Sequence, residues 1–307
     1  VTVPEGTSTI ASHATTKAAG PPRCLVCDGA FGGSALRGLA RCASCGFVTA
    51  DTALDDDALA ALYGRDYFHG EEYFNYVDER ESLRHNFGRR LDEIERLAGN
   101  LRGKSALDIG CAYGYFVELA TERGLRASGI DISSDAVKHA RDVLGVPATA
   151  GDYLATPGGP YDLVTMFDAV EHLRSPHLFI AKIARELAPG GHVALTTGDI
   201  GSLNARMRGQ RWRMIHPPTH LHYFSVPTLT RLLERNGLDV VHASHPGVSR
   251  KLHSIGHLVL ARKLGWTGLD RAVQRWLPDL PVTLNLGDIM FIVARKTEPA
   301  RAPRPSA

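Results

Sequence analysis

Apolar positions along the chain change their period near residue 100, and that change divides it. Before it, Leu83, Phe87, Leu91, Ile94 and Leu97 recur three or four residues apart and predict an amphipathic helix over 78–98. After it, short apolar runs alternate with helical stretches. Strands are expected at 106–109, 127–130, 148–150, 161–167 and 192–197, and helices at 113–123, 134–144 and 176–187. Such strands, apolar nearly throughout, imply a mostly parallel sheet with helices on both faces. Right-handed crossovers then bring all the strand C-termini to one edge, where ligands bind in such sheets. A loop rich in His, Trp and Pro (200–224) precedes a helix at 227–236, a strand at 238–243, an amphipathic helix at 251–264 and a last strand at 287–296. The fold class that follows is α/β, doubly wound, with seven strands. No internal repeat is present.

The segments outside this pattern read differently. Residues 22–50 are short, Gly-rich and cysteine-bearing, and form a small module of their own. Residues 51–103 combine acidic and aromatic clusters with the first helix, as a lid and linker. The pattern of strands fills 104–297. Residues 1–21 (Thr, Ser, Ala, Gly) and 298–307 (Pro, Arg, Ala, Ser) read as a disordered leader and tail. The leader lacks the apolar stretch of a secretory signal, and no run reaches the roughly 20 apolar residues of a membrane span. Apolar residues make up 44% and charged residues 22% of the 307, with a formal net charge of +2. Nothing in that balance calls for nucleic acid or an anionic membrane as a partner. A cytoplasmic enzyme acting on a small molecule is the expectation.

Four of the five cysteines stand in two pairs, Cys24-x-x-Cys27 and Cys42-x-x-Cys45, fourteen residues apart. Each pair resembles half of a zinc ribbon, in which two such turns complete a tetrahedral thiolate site around a structural Zn2+. The surroundings are not notably basic, so scaffolding or acceptor placement is the expected role.

The sharpest motif is Ala106-Leu107-Asp108-Ile109-Gly110-Cys111-Ala112-Tyr113-Gly114. A strand ends in an acidic residue and turns through glycines into a helix. Dinucleotide folds use G-x-G-x-x-G there, so that a pyrophosphate meets a helix N-terminus. Here Ala112 replaces the second glycine and Asp108 precedes the turn. A carboxylate repels phosphate but suits a cationic ligand. Asp131 ends the second strand, where an acidic group can bind ribose hydroxyls. Asp152 follows the third, and the fourth runs through Phe167 into Asp168-Ala169-Val170-Glu171-His172. In these motifs, over about 104–197, the chain resembles the class I S-adenosylmethionine-dependent methyltransferases, a Rossmann-like family. The resemblance implies that Asp108, Gly110 and Gly114 cradle the methionine part of S-adenosylmethionine, Asp131 the ribose, and Asp152 with Tyr153 the adenine. Cys111, Ile132 and Phe167 complete the implied cofactor-binding set, Cys111 as a pocket-lining residue rather than a nucleophile.

Methyl transfer to a hydroxyl needs a proton acceptor, and histidine is suited to that by its near-neutral pKa. His172 follows the fourth strand, and His216, His220 and His222 crowd one loop. His220 and His172 are the first candidates, His222 the third. The layout as a whole resembles the deoxysugar C-methyltransferases. That family's loop, however, carries Tyr and Glu where this chain has Pro217 and Thr219, which moves the expectation from carbon to oxygen. The expected acceptor is a hydroxyl on a sugar, glycan or natural-product intermediate. Carbon or nitrogen methylation, and a non-catalytic binding protein, stand as alternatives. Tyr63, Tyr67, Phe68, Tyr73, Phe74 and Tyr76 could close over the acceptor. Arg206, Arg208, Arg211 and Arg213 could receive an anionic one.

Overall fold

The computed structural model describes residues 23–51, 77–252 and 281–297. Its main sheet has seven strands: β4 (Ser105–Ile109), β5 (Arg126–Asp131), β6 (Ala148–Ala150), β7 (Tyr161–Phe167), β8 (Leu187–Gly198), β10 (Leu238–Ser244) and β13 (Ile289–Lys296). Their order across the sheet is β10-β13-β8-β7-β4-β5-β6. The pairs β4–β5, β5–β6, β4–β7 and β7–β8 are parallel, and β13 alone runs against both of its neighbours.

Side chains alternate strictly between the two faces of these strands. On one face Leu107, Ile109, Val164, Met166 and Ile292 pack against helix α4 (Pro176–Glu186) and helix α6 (Val226–Glu234). On the other, Ala106, Leu163, Phe291 and Val293 meet helix α1 (Arg80–Ala98), helix α2 (Tyr115–Glu122) and helix α3 (Ser134–Asp142). Helix α1 buries Leu91 and Ile94 from the predicted stripe and ends at Gly99, whose φ of 82° favours glycine. Salt bridges from Arg80 and Arg84 to Glu118 tie α1 to α2.

The cysteine module is a three-stranded antiparallel sheet of β1 (Phe31–Gly33), β2 (Leu39–Cys42) and β3 (Val48–Ala50). A fourth strand, β9 (His222–Tyr223), comes from the loop after β8 and pairs with β3. The module is thus continuous with the large domain: Cys24, Val26, Cys42 and Phe47 belong to the same apolar cluster as α4 and α6.

Three features depart from the pattern. The loop 200–224 is not structureless, for it holds helix α5 (Leu203–Arg208) as well as β9. Strand β8 begins at Leu187 and not at the expected 192, and its register with β7 shifts between Tyr161 and Leu163. An antiparallel pair of β11 (Val248–Lys251) and β12 (Pro281–Leu284) lies outside the expected pattern, because each strand is only four residues long and shows no sustained apolar alternation. The aromatic segment 63–76, almost all of the helix expected at 251–264, and both termini lie outside the described residues. Among the described residues no helix is long and apolar enough to cross a membrane.

Candidate functional site

The strand C-termini of the main sheet meet at one edge, and the turn after β4 is its centre. Gly110 (φ 75°) and Gly114 (φ 81°) adopt left-handed backbone, and a Cβ on Gly114 would lie 2.8 Å from Val146 Cγ2. Between them Ala112 is also left-handed, at φ 46°. A non-glycine residue there costs roughly 1 kcal/mol, and the Ala112 amide offsets this by donating to Asp131 Oδ2 at 2.8 Å. The other Asp131 oxygen accepts from the Ser133 amide at 2.8 Å. One carboxylate therefore locks the turns after β4 and β5 together, and burial raises its pKa.

Asp108 is buried and accepts a hydrogen bond from Thr165 Oγ1 at 2.7 Å. Burial, with some repulsion from Asp131, raises its pKa to about 7 against the opposing effect of Thr165. A buried carboxylate poised between its two charge states favours a cationic ligand nearby. Cys111 packs so tightly on β5 that a Cβ at Gly129 would sit 2.5 Å from its sulfur. Burial raises its thiol pKa well above the ordinary value, which suits a filler and not a nucleophile.

At the far end Ile132 is 61% exposed, an unusual place for a large apolar side chain unless something flat covers it. Asp152 uses one oxygen to accept from the Leu154 amide at 2.9 Å. Tyr153 does not join this edge with its side chain. Its ring is buried against Phe179, and its hydroxyl donates to Glu186 Oε2 at 2.8 Å. Adenine contact by the Tyr153 ring is corrected accordingly, for the ring faces the opposite way, onto α4. The Phe167 ring stacks on Phe87, centroids 5.5 Å apart, and so lies between α1 and the strand ends.

The motifs assign no role to two further residues at this edge. Arg90 lies on the core side of α1, one turn from Phe87, and lines a cavity with Phe87, Phe167, Asp168, Thr196 and Ser249. It is only 6% exposed, its guanidinium lies 5.3 Å from the Phe291 ring centroid, and burial lowers its pKa to about 10. Among the described residues no carboxylate comes within ion-pair distance of it. Asp168 is left-handed (φ 50°), held by its amide to the Thr196 carbonyl (3.0 Å) and by Thr196 Oγ1 donating to its Oδ1 (2.9 Å). The helical period places position 90 beside the buried stripe, and an arginine there is the signal that was available.

The predicted histidines separate into two groups. His172 and His220 meet, with ring centroids 4.6 Å apart, and the His216 ring lies tilted against His220 at 3.8 Å. His220 is buried, and desolvation with its histidine neighbours lowers its pKa to about 2, so it is a neutral imidazole. His222 stands apart, in β9. Its Nδ1 is 3.0 Å from Thr49 Oγ1, its Nε2 is 3.4 Å from the Arg174 carbonyl, and burial lowers its pKa to about 4. With Nδ1 engaged by Thr49 and the ring buried at the junction with the module, His222 is a structural residue, which corrects its place among the catalytic candidates. The basic run is likewise partly structural. Arg213 and Trp212 both reach the buried carboxylate of Asp288, at 2.8 and 2.9 Å.

The four cysteines do converge. Their sulfurs lie within 4.8 Å of one another, with Cys24–Cys45 at 3.6 Å and Cys27–Cys42 at 3.5 Å. Those separations are far beyond a disulfide bond and match the edge of a tetrahedron with metal–sulfur bonds of about 2.3 Å. Gly29 lets the two turns touch: a Cβ there would sit 2.6 Å from Ser44 Oγ. Burial opposes the Cys42 thiolate, yet the amides of Ser44 and Cys45 and the neighbouring thiols bring its pKa down to about 6. The donor set fits a zinc ion. From this module Thr49 Oγ1 donates to the Leu221 carbonyl at 3.1 Å, and Phe47 packs on Phe224 and His222. The module thereby holds the segment next to His220.

A methyltransferase domain model matches residues 82–243, more than half of the chain. The chain belongs to the class I S-adenosylmethionine-dependent methyltransferases. Among curated relatives, a ubiquinone biosynthesis O-methyltransferase of Bordetella avium is 33% identical over 116 residues, 35% of this chain and 48% of that protein. The enzyme of the same description from Aromatoleum aromaticum is 37% identical over 116 residues, 35% and 49%. The chain thus spans about half the length of these relatives. Magnesium protoporphyrin IX methyltransferase from Synechocystis, solved with bound SAH, has the same fold. It superposes with a TM-score of 0.51 at 18% identity, over 79% of this chain and all of that one.

Proposed function

We propose that this protein transfers a methyl group from S-adenosylmethionine to a hydroxyl of a small-molecule acceptor. The observation that carries the reading is the turn after β4, where the buried Asp108, the left-handed Gly110 and Gly114 and the Asp131 carboxylate come together at one sheet edge. Asp108, with the Gly110–Gly114 turn, takes the methionine part, and Arg90 supplies the cation that the α-carboxylate of that part requires. Asp131 holds the ribose, while Ile132 and Asp152 border the adenine. When bound, the cofactor supplies a methyl group on a positively charged sulfur, so little covalent work remains for the protein. Its tasks are to align the acceptor and to see the hydroxyl proton leave. His172, beside the buried Glu171 and the neutral His220, is the residue suited to that last task. The four-cysteine module, carrying Zn2+, keeps the cluster in place.

Oxygen as the acceptor atom is supported by the relatives described as O-methyltransferases and by Pro217 and Thr219 replacing the Tyr and Glu of the carbon-methylating family. A glycoside or natural-product hydroxyl is the proposed acceptor class, on the resemblance to sugar methyltransferases. Labelled-methyl transfer to extracts and to candidate hydroxylated glycosides, followed by mapping of the labelled atom, tests this. Label on oxygen, lost on His172→Ala, is the expected result. Label on carbon or nitrogen, or full activity of that variant, would contradict it.

A further inference from the structure

Glu171, His172 and His220 each bring one ligand-type atom within 4.8 Å of the other two. They come from two segments, the turn after β7 and the loop before β9. Those segments are sewn together by the Leu221 and His222 amides, which donate to the Glu171 carbonyl at 2.9 and 3.1 Å. The site is well enclosed, Glu171 being 2% and His220 5% exposed.

Hydrogen bonding fixes the state of both rings. His172 Nδ1 lies 2.8 Å from the Thr219 carbonyl, and His220 Nδ1 lies 2.9 Å from the Met214 carbonyl. A carbonyl oxygen only accepts, so each Nδ1 carries the hydrogen and each lone pair is on Nε2. Backbone carbonyls that accept Nδ1–H are the usual outer partners of metal-ligating histidines, for they set the tautomer and aim the ring. Two histidines so prepared, with an enclosed carboxylate, make a nitrogen–nitrogen–oxygen donor set.

We propose that Glu171, His172 and His220 form a second metal site, separate from the four cysteines, for a divalent transition-metal ion of the Zn2+, Fe2+ or Co2+ class. Imidazole donors favour that class over Mg2+ and Ca2+, which prefer all-oxygen shells. Three protein ligands leave a position open, as in sites that meet a substrate. The role of the ion rests on the function proposed above: its charge makes the acceptor hydroxyl proton easier to lose. The proton goes to solvent, the oxygen forms a bond to the methyl carbon, and the carbon–sulfur bond breaks with its electron pair left on sulfur.

Full-length protein is stripped of metal, reloaded with Co2+ and desalted, and its metal content and visible spectrum are measured. Wild type is expected to retain two equivalents. One shows the charge-transfer bands of thiolate ligation and is released by a thiol reagent; the other shows neither property. Glu171→Gln and His172→Gln are each expected to lose the second equivalent and keep the first, whose bands report that the fold is intact. A single equivalent in wild type, or a second one that survives both substitutions, would overturn the proposal. Methyl transfer at full rate with only the cysteine-bound equivalent would also overturn it, while leaving the proposed function standing. Two equivalents in a protein that does not bind S-adenosylmethionine would sink the function and leave the site.

Discussion

The two halves of the proposed active site are assembled in different ways. The cofactor half is local: Asp108, Gly110, Ala112 and Asp131 lie within one strand–helix–strand unit, and one hydrogen bond, Ala112 amide to Asp131 Oδ2, closes it. The acceptor half is assembled from distant chain. Glu171 and His172 after β7 meet His220 before β9 through the Leu221 and His222 amides on the Glu171 carbonyl, and β9 in turn pairs with the module's β3, where Thr49 bonds the Leu221 carbonyl. A local unit survives damage elsewhere, whereas a composite one depends on every piece that braces it. Cofactor binding and methyl transfer should therefore come apart on mutation.

The largest separation is expected from Cys42→Ser. A structural zinc site contributes on the order of 10 kcal/mol to the fold of a small module. The variant should lose its cysteine-bound zinc and most methyl transfer, about 100-fold or more, on the reasoning that a small misplacement of catalytic groups costs about that much. Calorimetry should show S-adenosylmethionine affinity within a few-fold of wild type; equal losses of both would mean that the two halves are one unit.

Next in size is Phe47→Ala, which empties a fully buried site between the module and α6. A loss of about 3–5 kcal/mol is expected in denaturant melts; a loss under about 1 kcal/mol, too small for a packed aromatic, would mean that the module is not docked as described.

An intermediate effect concerns pH. The folded protein holds the Asp108 proton to about pH 7, against a usual value of 3.8. Between those values the folded state binds more protons than the unfolded one. Stability from this group is thus fully present below about pH 4 and is lost as pH rises toward 7. Burial shifts Asp131 in the same direction. Thermal melts of the cofactor-free protein should show this decline, and Asp108→Asn should flatten it; an unchanged slope would refute the assignment.

The smallest is Thr49→Val, which removes the hydroxyl shared by the Leu221 carbonyl and His222 Nδ1. Stability should fall by about 1 kcal/mol, and methyl transfer several-fold, with cofactor affinity unmoved. Parallel changes in affinity would argue against a positioning role.

This contrast also explains what could be read from the chain alone. Seven strands, the helices between them and the glycine turn follow from periodicity and local chemistry, which contiguous residues encode. The spacing of the two cysteine pairs is likewise local, and the fold brings all four sulfurs together. Pairing of β3 with β9 had no local signal, because His222 and Tyr223 make a two-residue strand whose partner lies more than 170 positions away. His222 therefore looked like a member of a catalytic loop when it is a brace. Tyr153 was misplaced for a related reason: sequence order puts it after Asp152, but the backbone turns its ring onto Glu186 and Phe179. Arg90 went unnoticed because a basic residue beside an apolar stripe is usually solvated, and only the packed fold shows that it is enclosed.

In the proposed function the sheet edge binds S-adenosylmethionine through Asp131 and Arg90. Titration calorimetry of the full chain with that ligand tests it most directly, on wild type and on Asp131→Ala and Arg90→Gln. One site per chain is predicted, with each variant weaker by roughly 10- to 100-fold, since a hydrogen bond to a charged group is worth about 1.5–3 kcal/mol. No binding by wild type, or binding unchanged in both variants, would contradict it.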